Sequence, residues 1–424
     1  MKYTRKVLTN GIGLVTITEL PTAAATITAY IKSGFRYDPI GRPGLSHFVE
    51  HMVFNHAKSS PNSVLSQAVD RHGGWRSAFT WIEHQKHMVH LPKDNFEDGV
   101  RLILKTIFEP FVKKSEIEKE KGVVKEEILT NRADPSKGIW DYAWFPLFFQ
   151  GSHLARPYSG TIDDILAISK SDVESFIFDY FQTKNTVILV AGDLEPTYIQ
   201  SVIEKHSKKK EKRHKEKSIA ALNPKNERNI LVHQDNSYYQ TSLVIGIKTV
   251  PFSSPLKYVF DILQEMLSGY FGAPLIQRLR DKGGLIYTWN AFQDNISDTG
   301  YLMLSVSTAH ENVYKVISII LDEFTRLASG SFLKEEVEIA KGHLIGSIIA
   351  NIERGQDYID WYGMQELLDV DNVLSIQQQI AIYKKISDQE IKRVASYYLA
   401  RKNILIGVLG RAKEEELERL ISIE

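Results

Sequence analysis

The chain has 424 residues, too many for one hydrophobic core, so two or more domains are expected. Its 52 Lys and Arg balance 52 Asp and Glu, which excludes a general nucleic-acid binder, since phosphate neutralisation demands a basic excess. No cysteine is present, so disulfides, thiolate nucleophiles and thiolate metal sites are excluded, and any zinc must be held by His and carboxylate.

The first residues, Met1 to Lys6, contain no apolar leader segment, and no uncharged apolar run is long enough to span a bilayer. A cytoplasmic protein without membrane association is expected. Leu14 to Leu20 and Ala25 to Lys32 alternate apolar with polar residues and are rich in Thr, Ile and Val, which predicts strands. Helices are predicted at Pro43–Phe54, Phe96–Phe108, Ser115–Asn131 and Asp172–Phe181, and a buried strand at Asn185–Ala191. The mixture gives an α/β (α+β) class.

The first predicted helix contains His47-Phe48-Val49-Glu50-His51. Leu45, Phe48, Val49 and Met52 form one stripe, and His47, Glu50, His51 and Phe54 the neighbouring one. Two His at i and i+4 can chelate one ion. Glu50, one turn from His47, could then take a proton from a metal-bound water. The order is that of the inverted zincins. The alternative is a pair of half-buried, hydrogen-bonded histidines.

Two His leave a tetrahedral zinc one protein ligand short when water takes the fourth place. On the helix from Ser115, Ile117, Glu120, Val124, Glu127 and Ile128 share a face, so Glu120 and Glu127 lie on a largely apolar stripe. Buried carboxylates need partners, and a metal is one. Glu126 is turned about 100° away. His84, His87 and His90 recur every third residue, but in a strand His87 faces away from the other two, which excludes a single cluster.

Residues 211–226 read as a basic linker, beginning within the run Lys208 to Lys215 that has no apolar residue. It separates an N-terminal domain, 1–210, from a C-terminal domain, 227–424. Glu116 to Gly122 can be laid on Glu336 to Gly342, with Ile128 on Ile348 and Asn131 on Asn351. Asn185 to Gly192 resembles Asn403 to Gly410 in kind. Two duplicated domains are therefore expected, each a mostly antiparallel sheet backed by helices. In the second copy Ala340 replaces Glu120, Ser347 replaces Glu127, and no H-x-x-E-H occurs.

Ser33-Gly34, Arg36, Asp38 and Gly44 to Phe54, followed by glutamates seven apart, resemble the pitrilysin/insulinase family of zinc peptidases. The likeness is to its short-chain branch, with the mitochondrial processing peptidase and bacterial relatives. The resemblance implies one zinc per chain on His47, His51 and Glu127, with Glu50 as catalytic base and Glu120 as a supporting carboxylate. Gly73 to Thr80 is similar to the family's substrate-binding edge strand, which places Ser77, Ala78 and Phe79 on the substrate. The family usually has Asn where Ser77 stands, and Tyr is common where His87 stands. Arg280 and Tyr287 match an Arg/Tyr pair that holds the substrate carbonyl from the opposing half of the enzyme. The implied activity is endoproteolysis of extended or unfolded peptides by a homodimer with shared sites. The alternative within the family is a non-catalytic scaffold or partner subunit.

Overall fold

A computed structural model describes residues 1–54, 63–207, 222 and 227–422. The run 208–215 and nearly all of the expected linker lie outside the described residues. The chain forms two compact units. The first comprises residues 1–128, 158–220 and 352–373, and the second 129–157, 221–351 and 374–424.

In the first unit, β1 (Lys2–Val7), β2 (Gly13–Thr18), β3 (Ala24–Ile31), β4 (Trp75–Thr80), β5 (Gln85–Pro92) and β6 (Thr186–Gly192) make one six-stranded sheet. Its order is β1-β2-β6-β3-β5-β4, with β2 and β6 parallel and every other pair antiparallel. Successive side chains of a strand point to opposite faces, and both faces of this sheet are covered. Ile27, Ile188 and Val190 enter a core with helix α1 (Leu45–Phe54) and the helix Phe96–Phe108. Ile117 and Val124 of helix α2 (Lys114–Ala133) complete that core.

Val15, Ile17, Tyr30, Leu189 and Ala191 point the other way, onto Ile359, Tyr362 and Leu367 of helix α3 (Gly355–Leu368). This helix comes from the far end of the chain. Gly363 lets it approach: a Cβ there would lie 2.3 Å from the Tyr30 ring. Polar groups fix its register. Tyr30 donates to Asp360 at 3.0 Å, Arg5 pairs with Glu366 at 2.9 Å, and Tyr3 donates to Glu366.

The second unit repeats the plan. Its strands β7 (Ile230–Gln234), β8 (Thr241–Thr249), β9 (Ile286–Asn295), β10 (Gly300–Thr308) and β11 (Leu405–Gly410) run β7-β11-β8-β10-β9. The parallel pair is β7 with β11, matching β2 with β6. The helices Lys114–Ala133 and Lys334–Asn351 begin 220 positions apart, as the duplication requires. Segment 135–148 packs here: Trp144 and Phe148 set their rings edge-on to Tyr301 of β10. Among the described residues no helix is long and apolar enough to cross a membrane.

Candidate metal centre

Helix α1 is seated by groups at its start. Asp38 accepts hydrogen bonds from the amides of Gly44 (2.8 Å) and Ser46 (2.7 Å), which would otherwise be orphaned at a helix N-terminus. Burial pushes the Asp38 carboxyl up to about 7, against the lowering effect of these amides. Gly44 has φ +80°, and a Cβ there would meet the Ser159 carbonyl oxygen at 2.3 Å, so both conformation and space require glycine. Gln85 of β5 donates to the Ser33 and Ser46 carbonyls, and Arg36 is buried against Glu83 at 2.6 Å. The apolar stripe Leu45, Phe48, Val49 and Met52 is buried, which turns the neighbouring stripe towards α2.

There His47, His51 and Glu127 converge, with one donor atom from each within 4.8 Å of the others. Among the described residues no other His, Asp or Glu group does so. Glu127 Oε1 is 3.6 Å from His47 Nε2, and its Oε2 is 3.2 Å from His51 Nε2. Ligand-to-ligand edges of a tetrahedral zinc site are about 3.3 Å, from bonds of about 2.0–2.1 Å, so two imidazoles and a carboxylate whose two oxygens stand at these distances form a donor set of the type and size that ion takes. The far side of His51 is also held: Nδ1 is 3.0 Å from Glu120 Oε1, the partnership that orients a ligating imidazole. Glu126 is exposed, as its angle on the helix requires.

The electrostatics suit a cation. Burial, joined by the charge of His51, holds the His47 imidazole down to about 4, against the attraction of Glu127. Burial also acts downward on His51, but hydrogen bonds to Glu120 and Glu127 and the charges of Glu50 and Glu127 raise it to about 10. The pocket thus favours a positive charge on His51 and keeps His47 neutral. Glu50 is buried beside them and is not among the converging donors. Burial raises its carboxyl, opposed by a hydrogen bond from Thr80 and by His51, with Glu127 adding to the rise.

Thr80 Oγ1 donates to Glu50 Oε2 at 2.6 Å. Thr80 is the last residue of β4, an edge strand whose one neighbour among the described residues is β5. The Trp81 amide bonds the His84 carbonyl at 2.8 Å and closes the β4–β5 turn. By antiparallel alternation Phe79, Ser77 and Trp75 direct their main chain at β5, and Thr80, Ala78 and Arg76 direct theirs away from it. Trp75 and Phe79 are about half exposed on one face of the strand. Ala78 shares the other face with Thr80.

Sequence reasoning passed over Thr80 as a partner of Glu50, although it closes the quoted segment two residues beyond Ala78 on the same face. It also passed over Tyr158, whose ring stands edge-on to His47 at 5.6 Å. Nothing local marks Tyr158. The three histidines of the β5 region separate as expected. His84 stacks on Tyr30, His87 lies on the α1 face near Gln85 and Phe181, and His90 meets Thr26 on the opposite face. Arg280 lies in the second unit on the turn Gln277–Asp281, and Tyr287 is the second residue of β9. The side chain of Tyr287 lies outside the described residues.

Residues 14–160 match the sequence profile of insulinase (peptidase family M16), and residues 167–344 that of the peptidase M16 inactive domain. The chain is 24% identical over 426 positions to an uncharacterised zinc protease of Mycobacterium leprae, covering 99% of this chain and 94% of the relative. Its fold is similar to the crystal structure of a protease from Helicobacter pylori, with TM-score 0.87, 20% identity and coverage of 97% and 99%. A Pseudomonas fluorescens structure described as a peptidase M16 inactive domain gives TM-score 0.87 at 15% identity, with coverage of 97% and 98%.

Proposed function

Because the chain belongs to the insulinase family of peptidases, family M16, we propose that it is a zinc-dependent endopeptidase acting on extended peptides or unfolded polypeptides. The observation that carries this reading is the convergence of His47, His51 and Glu127 beside a Glu50 that is held by the end of β4, a strand whose outer edge is unpaired among the described residues.

In this reading His47, His51 and Glu127 hold one zinc ion per chain, and Glu120 fixes the ring of His51 through Nδ1. Zinc in such a set supplies Lewis acidity, polarising a carbonyl and making water acidic near neutral pH. Glu50 takes the proton from the attacking water and returns it to the leaving amine nitrogen. Thr80 holds the carboxylate through Oε2. An extended peptide adds to β4 as an antiparallel strand, bonding the outward main chain of Ala78 and its neighbours, with Ser77 and Phe79 offering side-chain contacts. Arg280 and Tyr287 hold the substrate carbonyl, where a guanidinium and a phenol would stabilise developing negative charge. The working assembly is a homodimer with shared sites.

A non-catalytic partner subunit is the second reading, favoured by the inactive-domain profile over residues 167–344. That span contains Ala340 where Glu120 has its counterpart, so the profile suits the second half without bearing on His47 or Glu127. Metal analysis and cleavage of a quenched peptide separate the readings. Wild type and Glu50→Gln should both retain zinc, with cleavage reduced about 10²- to 10⁴-fold in the variant. Full activity in Glu50→Gln refutes the mechanism, and a wild type that takes up no zinc at micromolar concentration favours the scaffold.

A further inference from the structure

Arg280 is held in a way that no other arginine discussed above shares. Its guanidinium carbon lies 5.2 Å from the centroid of the Phe271 ring and 5.3 Å from that of Trp289. The two rings meet at 88° with centroids 5.5 Å apart, so they form adjoining walls. The nearest carboxylate oxygen, Asp281 Oδ1, is 4.0 Å from Nη1, at the outer limit of an ion pair. Among the described residues Arg280 donates no hydrogen bond, and its side chain is 38% exposed. Its neighbour Arg278 is bonded to Asp322 at 3.1 Å, and Arg326 donates to Glu323, Glu336 and the Ser331 carbonyl.

Trp289 is anchored through its ring, and Phe271, 65% exposed, through its main chain. Trp289 sits on β9, and its indole N–H donates to the Ser268 carbonyl at 3.3 Å. The Phe271 carbonyl accepts from Gln277 Nε2 at 2.9 Å, one turn before Arg280. An aromatic face attracts a cation without using any of its N–H groups, and confinement between two faces removes rotamer freedom before binding. A carboxylate partner would do the opposite, occupying the donors that a ligand needs.

We propose that Phe271 and Trp289 are positioning residues that hold the Arg280 guanidinium in a fixed orientation, its donors reserved for a carbonyl oxygen of the peptide substrate. The inference rests on the reading of Arg280 as a substrate contact. It adds two residues, 18 positions apart, that no motif connects.

The test uses the full zinc-loaded chain and a quenched extended peptide. Phe271→Ala and Trp289→Ala should each lower kcat/KM about three- to thirty-fold, the range of one cation–π contact. Phe271→Tyr and Trp289→Phe should restore it to within about two-fold. Zinc content should be unchanged. On the Arg280→Ala background Phe271→Ala should cost nothing further, because its effect passes through the missing guanidinium. A second readout is peptide affinity of the Glu50→Gln form, which should weaken with either alanine variant by a similar factor. Equal losses on the wild-type and Arg280→Ala backgrounds would overturn the proposal, as would full activity of both alanine variants beside a crippled Arg280→Ala. A fully active Arg280→Ala removes the underlying reading and the inference with it.

Discussion

Glu50 and the helix that carries it depend on two groups outside the motif. Thr80 spends its hydroxyl on Glu50 Oε2, so Thr80→Val keeps the shape and removes the tether. A hydrogen bond to a charged group is worth about 1.5–3 kcal/mol, so kcat should fall about ten- to hundred-fold with zinc content unchanged. An unaltered kcat would show that Glu50 needs no such hold. Asp38 accepts two amides at the start of α1, one on each carboxylate oxygen. Asp38→Asn must turn an NH₂ towards one of them, leaving a buried donor unmet. Chemical denaturation should show a loss of about 1–3 kcal/mol, and an unshifted midpoint would count against this cap. The convergence of His47, His51 and Glu127, with Glu120 beside it, was legible because two helical periods place these residues. His47 and His51 share one face of α1, and Glu120 and Glu127 one face of α2. Thr80 and Tyr158 were not, because the backbone that brings them to Glu50 and His47 is tertiary.

At the scale of elements, the notable arrangement is the exchange of helical segments between the two halves of the sequence. Helix α3 closes the second face of the first sheet, although some 160 residues separate it from β6. No local signal shows this. The buried positions of α3 include Gln365 and Glu366 as well as Ile359, Tyr362 and Leu367, so the helix has no clean apolar stripe to read. Glu366 becomes intelligible once Tyr3 and Arg5 are beside it. By contrast, the predicted helix Phe96–Phe108 matches the observed bounds, because its apolar residues repeat at helical spacing against a single core. Two outcomes follow from the exchange. Gly363→Leu should destabilise the first unit by more than about 2 kcal/mol, since overpacking against Tyr30 has no room to relax. Residues 1–210 expressed alone should bind a hydrophobic dye and aggregate, because Val15, Ile17, Tyr30, Leu189 and Ala191 would face water. A monomeric, cooperatively folding 1–210 fragment would contradict the role assigned to α3.

At the scale of the whole molecule, duplication has left two sheets of corresponding strand order, apart from the extra edge strand β1, with different equipment. The first unit carries His47, Glu50, His51 and Glu127, and the second carries Arg280 and Tyr287, with Ala340 and Ser347 where the glutamates would stand. A chain that has both sets needs no different partner, and two-fold homodimers are the commonest soluble assembly. In the proposed dimer each active site takes its metal set from one chain and Arg280 with Tyr287 from the other. Complementation tests this directly. Glu50→Gln and Arg280→Ala are each expected to be nearly inactive as homodimers. In a mixed dimer, one site combines the intact Glu50 of the second chain with the intact Arg280 of the first, and the other site carries both lesions. Random exchange between equal amounts makes half of the dimers mixed, each with one working site of two, so activity should return to about a quarter of wild type. Exchange can be followed independently by mixing chains that bear two different fluorescent labels. If labels exchange and activity stays at the level of the separate variants, the sites are not shared between chains. Activity that returns in proportion to the mixed fraction, and disappears when exchange is blocked by cross-linking each homodimer first, would establish that they are.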